Sequence, residues 1–268
     1  MVFSGKGIGI NEQDDTGRTP LHYAVCSGDC NKISQLLKEG ADISYVNATH
    51  GSALHAAVRL GNFDVVKLLF DNGIDVVIDA VTDSEYITPL YRNSTALFDA
   101  VTAYNTYSYY NVDGKRDKCL QVIRLLLERG ANPNIQQKCK MTAVQWAAQA
   151  GAAEVVEVFL KFNANVNTKN NKGVTPLMSA VISGVMETVC MLIEAGSDIN
   201  AVAKGGGTAL TYAVYYGHLD IAKYLIGNGA DKNAVNNPIN KKNETALDVA
   251  KKKKFNAIVD IFESIFLR

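Results

Sequence analysis

The sequence predicts an all-α solenoid of stacked helix-turn-helix units. Three observations predict it: one short pattern returns seven times along 268 residues, each return carries an apolar pair at i, i+3, and the paired apolar segments close on glycine. Self-similarity at a period of a few tens of residues marks a repeat architecture before any single helix is assigned.

The pattern reads TPLHYAV at 19–25, SALHAAV at 52–58, TALFDAV at 95–101, TAVQWAA at 142–148, TPLMSAV at 175–181, TALTYAV at 208–214 and TALDVAK at 245–251. Five places after the leading Thr or Ser stands Ala24, Ala57, Ala100, Ala147, Ala180, Ala213 or Ala250. A position that only alanine fills predicts two helices too close for a larger side chain. Two places after the lead stands Leu21, Leu54, Leu97, Val144, Leu177, Leu210 or Leu247, and with the alanine it makes one buried helix face.

The first helix of most repeats stops at Gly28, Gly61, Gly151, Gly184 or Gly217, residues free to take the left-handed conformation that ends a helix. A second apolar-periodic segment follows, as in NKISQLLKEGAD, FDVVKLLFDNG, LQVIRLLLERGAN and LDIAKYLIGNGAD, and closes on Gly40, Gly73, Gly130, Gly196 or Gly229. Neither helix can cover its apolar face within one repeat, so stacking must bury it.

The stretch DDTGRTPLHYAVCSGD, followed by LLKEGADI, resembles the ankyrin repeat, and the resemblance covers nearly all of residues 14 to 268. It implies one domain over 14–268 after a flexible lead-in at 1–13, with repeats starting near 14, 47, 90, 137, 170, 203 and 240 and joined by β-hairpin-like finger loops. The family's TPLH histidine, a hydrogen-bonder between neighbouring repeats, survives as His22 and His55. Phe98, Gln145, Met178, Thr211 and Asp248 replace it elsewhere, so weaker polar links are expected in the C-terminal half. The resemblance also implies asparagine hydroxylation at Asn134, Asn167, Asn200 and Asn233, most of which are expected to be loop-formers.

Successive leads are 33, 43, 47, 33, 33 and 37 residues apart, so the extra length can be located. Thr95 is 35 residues from its closing Gly130, against 21 from Thr19 to Gly40, which puts a 14-residue insertion at about 104–117 between the helices of the third repeat. A second insertion, about 74–94, lengthens the finger entering that repeat. The first insertion holds Tyr104, Tyr107, Tyr109, Tyr110, Lys115 and Arg116 and reads as a loop. Tyrosine brings a large amphipathic contact area with few rotors to freeze, so the loop is expected to recognise a partner. Two alternatives stand beside this: a neutral insertion in an exposed turn, and tyrosines folded back onto the neighbouring repeat.

In the family, ligands meet the finger tips and the exposed side of the first helices. Aligned on the leads, the tips carry Arg18, Arg92, Lys138, Lys140, Lys172, Lys204, Lys241 and Lys242, with Asp14, Asp15 and Glu244 as the main acids. Near the ends of the first helices come Arg59, Gln149, Ile182, Tyr215, Tyr216 and Lys252, while the second helices hold Asp64, Asp71, Glu128, Glu154, Glu157, Glu187, Glu194 and Asp220. A basic, aromatic concave side predicts a protein partner with an acidic surface and binding that weakens with salt. The plain alternative is that exposed tips carry lysine for solubility.

Lys plus Arg and Asp plus Glu number 27 each, so no global field draws the chain to nucleic acid or membrane, and no nucleic-acid motif is recognised. Five cysteines, none in a CxxC pair, argue against a disulfide framework and a zinc ribbon and fit a reducing compartment. The N-terminus lacks a secretory pattern and no stretch is apolar enough to span a membrane, so the expected place is the cytoplasm, or a host's cytoplasm if the chain is a secreted bacterial effector. GKGIG at 5–9 lacks the rest of a phosphate-binding loop, Cys26 and Cys30 lack the partners for zinc, and Trp146 reads as core. No cofactor or catalytic residue is expected.

The expected function is therefore a non-enzymatic adaptor for a protein partner, the alternative a regulatory or inhibitory subunit that blocks an enzyme. The last helix has more apolar residues than one inward face requires: Ile258, Val259, Ile261, Phe262, Ile265, Phe266 and Leu267. A monomer is expected, with self-association through that helix the other outcome.

Overall fold

Each recurrence of the pattern folds into a helical pair in the computed structural model, which describes residues 9–48, 50–82, 94–112, 114–234 and 245–264. Two compact bodies hold them, one up to Lys138 and one from Cys139. In the first lie α1 (Pro20–Ser27) with α2 (Cys30–Lys38), α3 (Ala53–Arg59) with α4 (Phe63–Asp71), and α5 (Ala96–Tyr109) with α6 (Lys115–Glu128). In the second lie α7 (Ala143–Gln149) with α8 (Ala153–Lys161), α9 (Pro176–Ser183) with α10 (Met186–Glu194), α11 (Ala209–Tyr216) with α12 (Leu219–Gly227), and α13 (Ala246–Lys252) with α14 (Asn256–Ser264).

The leading Thr or Ser is the N-cap of each first helix, with its backbone extended; the Thr95 hydroxyl accepts from the Phe98 N–H and that of Thr175 from the Met178 N–H. Such a cap contributes about 1 kcal/mol to its helix. The recurrent alanine is fully buried in six repeats and 6% exposed at Ala24. It lies where first helices pack on one another, α1 on α3 and α3 on α5 in the first body, α7 on α9, α9 on α11 and α11 on α13 in the second. Of the residues two after the lead, all are buried but Leu247, which is half-buried.

The fingers pair side by side within each body. Strands β1 (Val46–Asn47) and β2 (Gly51–Ser52) make the antiparallel finger of the second repeat, and the Asn47 amide donates to the Gly17 carbonyl of the finger before it, at 3.0 Å. In the second body the Asn171 N–H donates to the Cys139 carbonyl and the Lys204 N–H to that of Lys172, both at 2.9 Å. The lengthened finger before the third repeat opens with a 3₁₀ turn at Ile74–Val77 and closes through a Thr82–Ser94 bridge; the rest of it, with Arg92, lies outside the described residues. Of the apolar last helix, Ile258 and Phe262 are buried, and residues 265–267 lie outside the described residues.

Two expectations are corrected. The insertion at 104–117 is helix rather than loop: α5 and α6 run 14 residues each, against 8 and 9 for α1 and α2, and of the described residues only 110–112 and 114 lie between them. The cause is that the apolar spacing of α5 does not stop at Ala103. Tyr104 falls three residues after Val101 and Tyr107 three after Tyr104, so the buried stripe continues through the tyrosines, as Cys119 continues that of α6.

The second correction concerns links between repeats, which the C-terminal half retains. His22 Nε2 donates to the Gly51 carbonyl at 3.1 Å, and Gln145 makes the same span with a 2.9 Å bond to the Val174 carbonyl. Asparagine adds a clasp that the sequence reading placed only among loop-formers. Asn167 donates to the Gly196 carbonyl at 3.1 Å and accepts from the Asp198 N–H at 2.8 Å, Asn200 repeats this on Gly229 and Asp231, and Asn11 on Gly40 and Asp42 in the first body.

His22 and His55 sit buried, each Nδ1 facing the hydroxyl of its own cap at 2.9 Å, and burial pushes both below the ordinary 6.5, His55 to about 4. Between pH 6.5 and about 4 the unfolded chain takes up a proton that the folded chain refuses at His55. Stability is therefore full above pH 6.5 and falls across that window, by about 3 kcal/mol at this histidine. Urea melts at pH 7 and pH 4.5 should show the loss, and His55→Gln should flatten the slope; a slope unchanged in that variant would place the titration elsewhere.

Candidate protein-interaction surface

The third repeat departs most from its neighbours. With α5 about six residues longer than a regular first helix, its end projects about 9 Å farther. Lys115 and Arg116, expected to face a partner, are turned to other use there. Lys115 Nζ donates to the Leu60 carbonyl at 3.1 Å and lies 5.7 Å from the Tyr107 ring, whose hydroxyl reaches that carbonyl at 3.5 Å. Arg116 Nε donates to the Tyr104 hydroxyl at 2.9 Å.

Tyr104 is thus buried at 3% exposure and is withdrawn from any contact surface, because its ring fills the α5 stripe and its hydroxyl is held by Arg116. Against this hairpin lies Gly61, at φ +58°, where an added Cβ would meet Cys119 Sγ at 2.8 Å and the Tyr107 ring at 3.3 Å. Burial pushes the Cys119 thiol up to about 11 and raises Tyr107. The inner half of the insertion therefore packs on the preceding repeat, as one alternative reading of the sequence has it.

The outer half does not. Tyr109 is 83% and Tyr110 70% exposed, with their rings edge to face at 5.1 Å, and Val112 beside them is 40% exposed. Nowhere else among the described residues do three large apolar side chains stand exposed within four positions.

Along the finger side of the first body runs a chain of paired polar groups. Asp14 accepts from Thr16, from the Arg18 N–H and from the Tyr23 hydroxyl, and the Tyr23 bond is the main reason its carboxyl lies far below the usual range. Arg18 Nη2 donates to His50 Nδ1 at 3.3 Å, and burial, then the Arg18 and Arg59 charges, push the His50 pKa below its ordinary value. Arg59 gives Nη1 to the His50 carbonyl at 3.0 Å and Nε to Asp99 at 2.7 Å, and Asp99, buried in α5, also accepts from Ser94 at 2.6 Å. Sequence reasoning missed His50 and Asp99; the one signal was a carboxylate inside an apolar helical stripe.

In the second body, Lys138 being the last residue of the first, Lys172 and Lys204 stand exposed on their fingers. Tyr215 is half-buried and Tyr216 exposed, edge to face at 5.2 Å, and Lys253 Nζ lies 3.8 Å from the Tyr215 ring centre. Of the asparagines implied as hydroxylation sites, Asn167 and Asn200 are the clasps described above, while the backbone N–H groups of Asn134 and Asn233 close turns onto Asn132 and Asp231. Lys241 and Lys242 lie outside the described residues. Among the described residues no His, Cys, Asp and Glu cluster could hold a metal, and no helix is long and apolar enough to cross a membrane.

Family models of ankyrin repeats match residues 1–80 with 115–203, and 192–250. The chain belongs to the ankyrin-repeat family. The stretch those models pass over, 81–114, holds most of the long finger and the long first helix of the third repeat, so the candidate surface is where this ankyrin chain leaves the family pattern.

Similar proteins include inversin of Homo sapiens, 31% identical over 138 residues, which are 52% of this chain and 11% of inversin. An ankyrin repeat protein of Fowlpox virus is 30% identical over 132 residues, 46% of this chain and 20% of that protein. NF-kappa-B inhibitor delta of Mus musculus is 29% identical over 142 residues, 53% of this chain and 43% of the inhibitor. The chain thus spans less than half the length of each.

Removing Arg59 leaves Asp99 buried beside a single hydroxyl. Arg59→Ala should cost about 2–3 kcal/mol in urea unfolding. Adding Asp99→Asn to that variant should recover part of the loss, since the buried charge goes with it; no recovery would mean that Arg59 acts by packing alone.

Proposed function

We propose that the chain is a non-enzymatic protein-interaction module whose partner contacts the tip of the third-repeat hairpin. Ankyrin repeats in general mediate contacts between proteins. The observation that supports this location is the bare pad of Tyr109, Tyr110 and Val112 on a hairpin whose inner half is packed. An aromatic pair held in place before binding loses little further freedom on association, which is the condition under which exposed tyrosines become strong anchors. Arg18 and Arg59 shape the neighbouring finger side: the Arg59 charge is matched by Asp99, and the Arg18 guanidinium bonds the His50 ring.

A second reading, a regulatory subunit that blocks another protein's site, is favoured by the similarity to NF-kappa-B inhibitor delta. The two differ in consequence: an adaptor leaves its partner's activity intact and an inhibitor removes it.

The test is capture of partners from lysate with the wild type and with Tyr109→Ser/Tyr110→Ser, followed by titration of the purified partner. Affinity should fall by at least about tenfold, as for loss of a paired aromatic anchor, with an unchanged cooperative melt. A partner held equally by both proteins would overturn the location.

A further inference from the structure

The dipeptide Asn-Gly occurs twice, as Asn72-Gly73 and Asn228-Gly229, and both copies stand at the same place, the end of a second helix. Glycine after asparagine leaves the side-chain amide carbon open to attack by the next backbone nitrogen. That nitrogen bonds to the Asn Cγ, Nδ2 leaves as ammonia with the glycine proton, and a cyclic imide remains. Water then opens the imide. Where it breaks the bond to the backbone carbonyl, the chain afterwards runs through Cβ and Cγ as isoaspartate, longer by a methylene.

The fold holds both pairs against the first step. Asn72 Nδ2 donates to the Leu68 carbonyl and Asn228 Nδ2 to the Tyr224 carbonyl, each at 2.8 Å. The glycine N–H groups, which must give up their protons, donate to the Phe70 and Ile226 carbonyls at 3.1 Å. At ψ 14° and 17° the two asparagines turn the glycine nitrogen away from the side-chain carbon. All four residues are exposed, so water is at hand and the closed last turn of each helix is the barrier.

The two pairs differ in what is tied to them. The Gly229 carbonyl accepts the Asn200 amide at 3.1 Å and the Asp231 N–H returns a bond to Asn200 Oδ1 at 2.8 Å, the clasp between the loops of the fifth and sixth repeats. Gly73 carries no such clasp among the described residues. Ser44, 33 residues after the clasping Asn11, turns its hydroxyl back on Asp42 at 2.6 Å instead.

We propose that Asn228 is a latent modification site, where opening of the last turn of α12 lets isoaspartate form and the added methylene then breaks the clasp to the fifth repeat. Clasp and closed turn share Gly229, so each guards the other. Loss of the clasp frees the turn to open, and modification of the turn moves the clasp's acceptor. Departure of ammonia makes the change one-way. At Asn72 the same chemistry breaks no clasp. The site belongs to the second body alone and does not depend on the hairpin reading.

The experiment incubates the full chain at physiological temperature and pH, folded and in urea, and reads isoaspartate site by site by peptide mapping. Conversion at Asn228 should run at least about tenfold slower in the folded protein than in urea. Asn200→Ala should speed it several-fold at Asn228 and leave Asn72 unchanged, a selectivity that general loosening of the fold cannot produce. Asn72→Ala protein aged in urea and refolded should melt about 2–4 °C below the same protein unaged. Asn72→Ala/Asn228→Ala protein aged alike should not shift. Equal rates in the folded and unfolded chain, an Asn228 rate indifferent to Asn200→Ala, or an ageing shift that is absent or shared by the double variant would each overturn the proposal.

Discussion

Close approach of first helices at one alanine is the constraint on which every repeat depends. Six of the seven alanines are wholly buried, and a larger residue there would have to push two helices apart. Because, within each body, a first helix presents that alanine and the apolar residue before it to the next, the apolar face of one repeat becomes the floor of its neighbour. What the third repeat leaves exposed is the tip of its hairpin, and there the chain places Tyr109 and Tyr110.

Polar bonds set the register of that stacking. Histidine at one repeat and glutamine at another reach a carbonyl of the next finger, while asparagines on the far loops clasp the loop one repeat on. The same group at the same place serves each time, a local rule repeated rather than a network spread over the molecule. In such an architecture an insertion is tolerated only if it respects the repeat it packs on. The third repeat lengthens both of its helices together, which adds turns to the apolar stripe and leaves its contacts with the second repeat in place.

The repeat was legible in the sequence, since its recurrence depends on counting. The form of the first insertion was not. Four tyrosines, a serine and an Asp-Gly pair read as a loop by composition, and only the three-residue steps from Val101 to Tyr104 to Tyr107 pointed to helix. The fate of the cations was hidden for another reason. Lys115 finds its acceptor 55 residues away at Leu60 and Arg59 its carboxylate 40 residues on at Asp99, pairings that no local pattern encodes. A charge counted as free for a partner can be consumed by the fold, as in the first body.

The central claim is that the tyrosine insertion is a rigid, docked hairpin that offers only its tip. Amide hydrogen exchange read residue by residue tests it directly. Ala103 to Tyr107 and Cys119 to Ile123 should exchange as slowly as the core of α3, with fast exchange confined to Asn111 through Lys115. Fast exchange throughout 103–118 would contradict the account and return the tyrosines to a mobile loop.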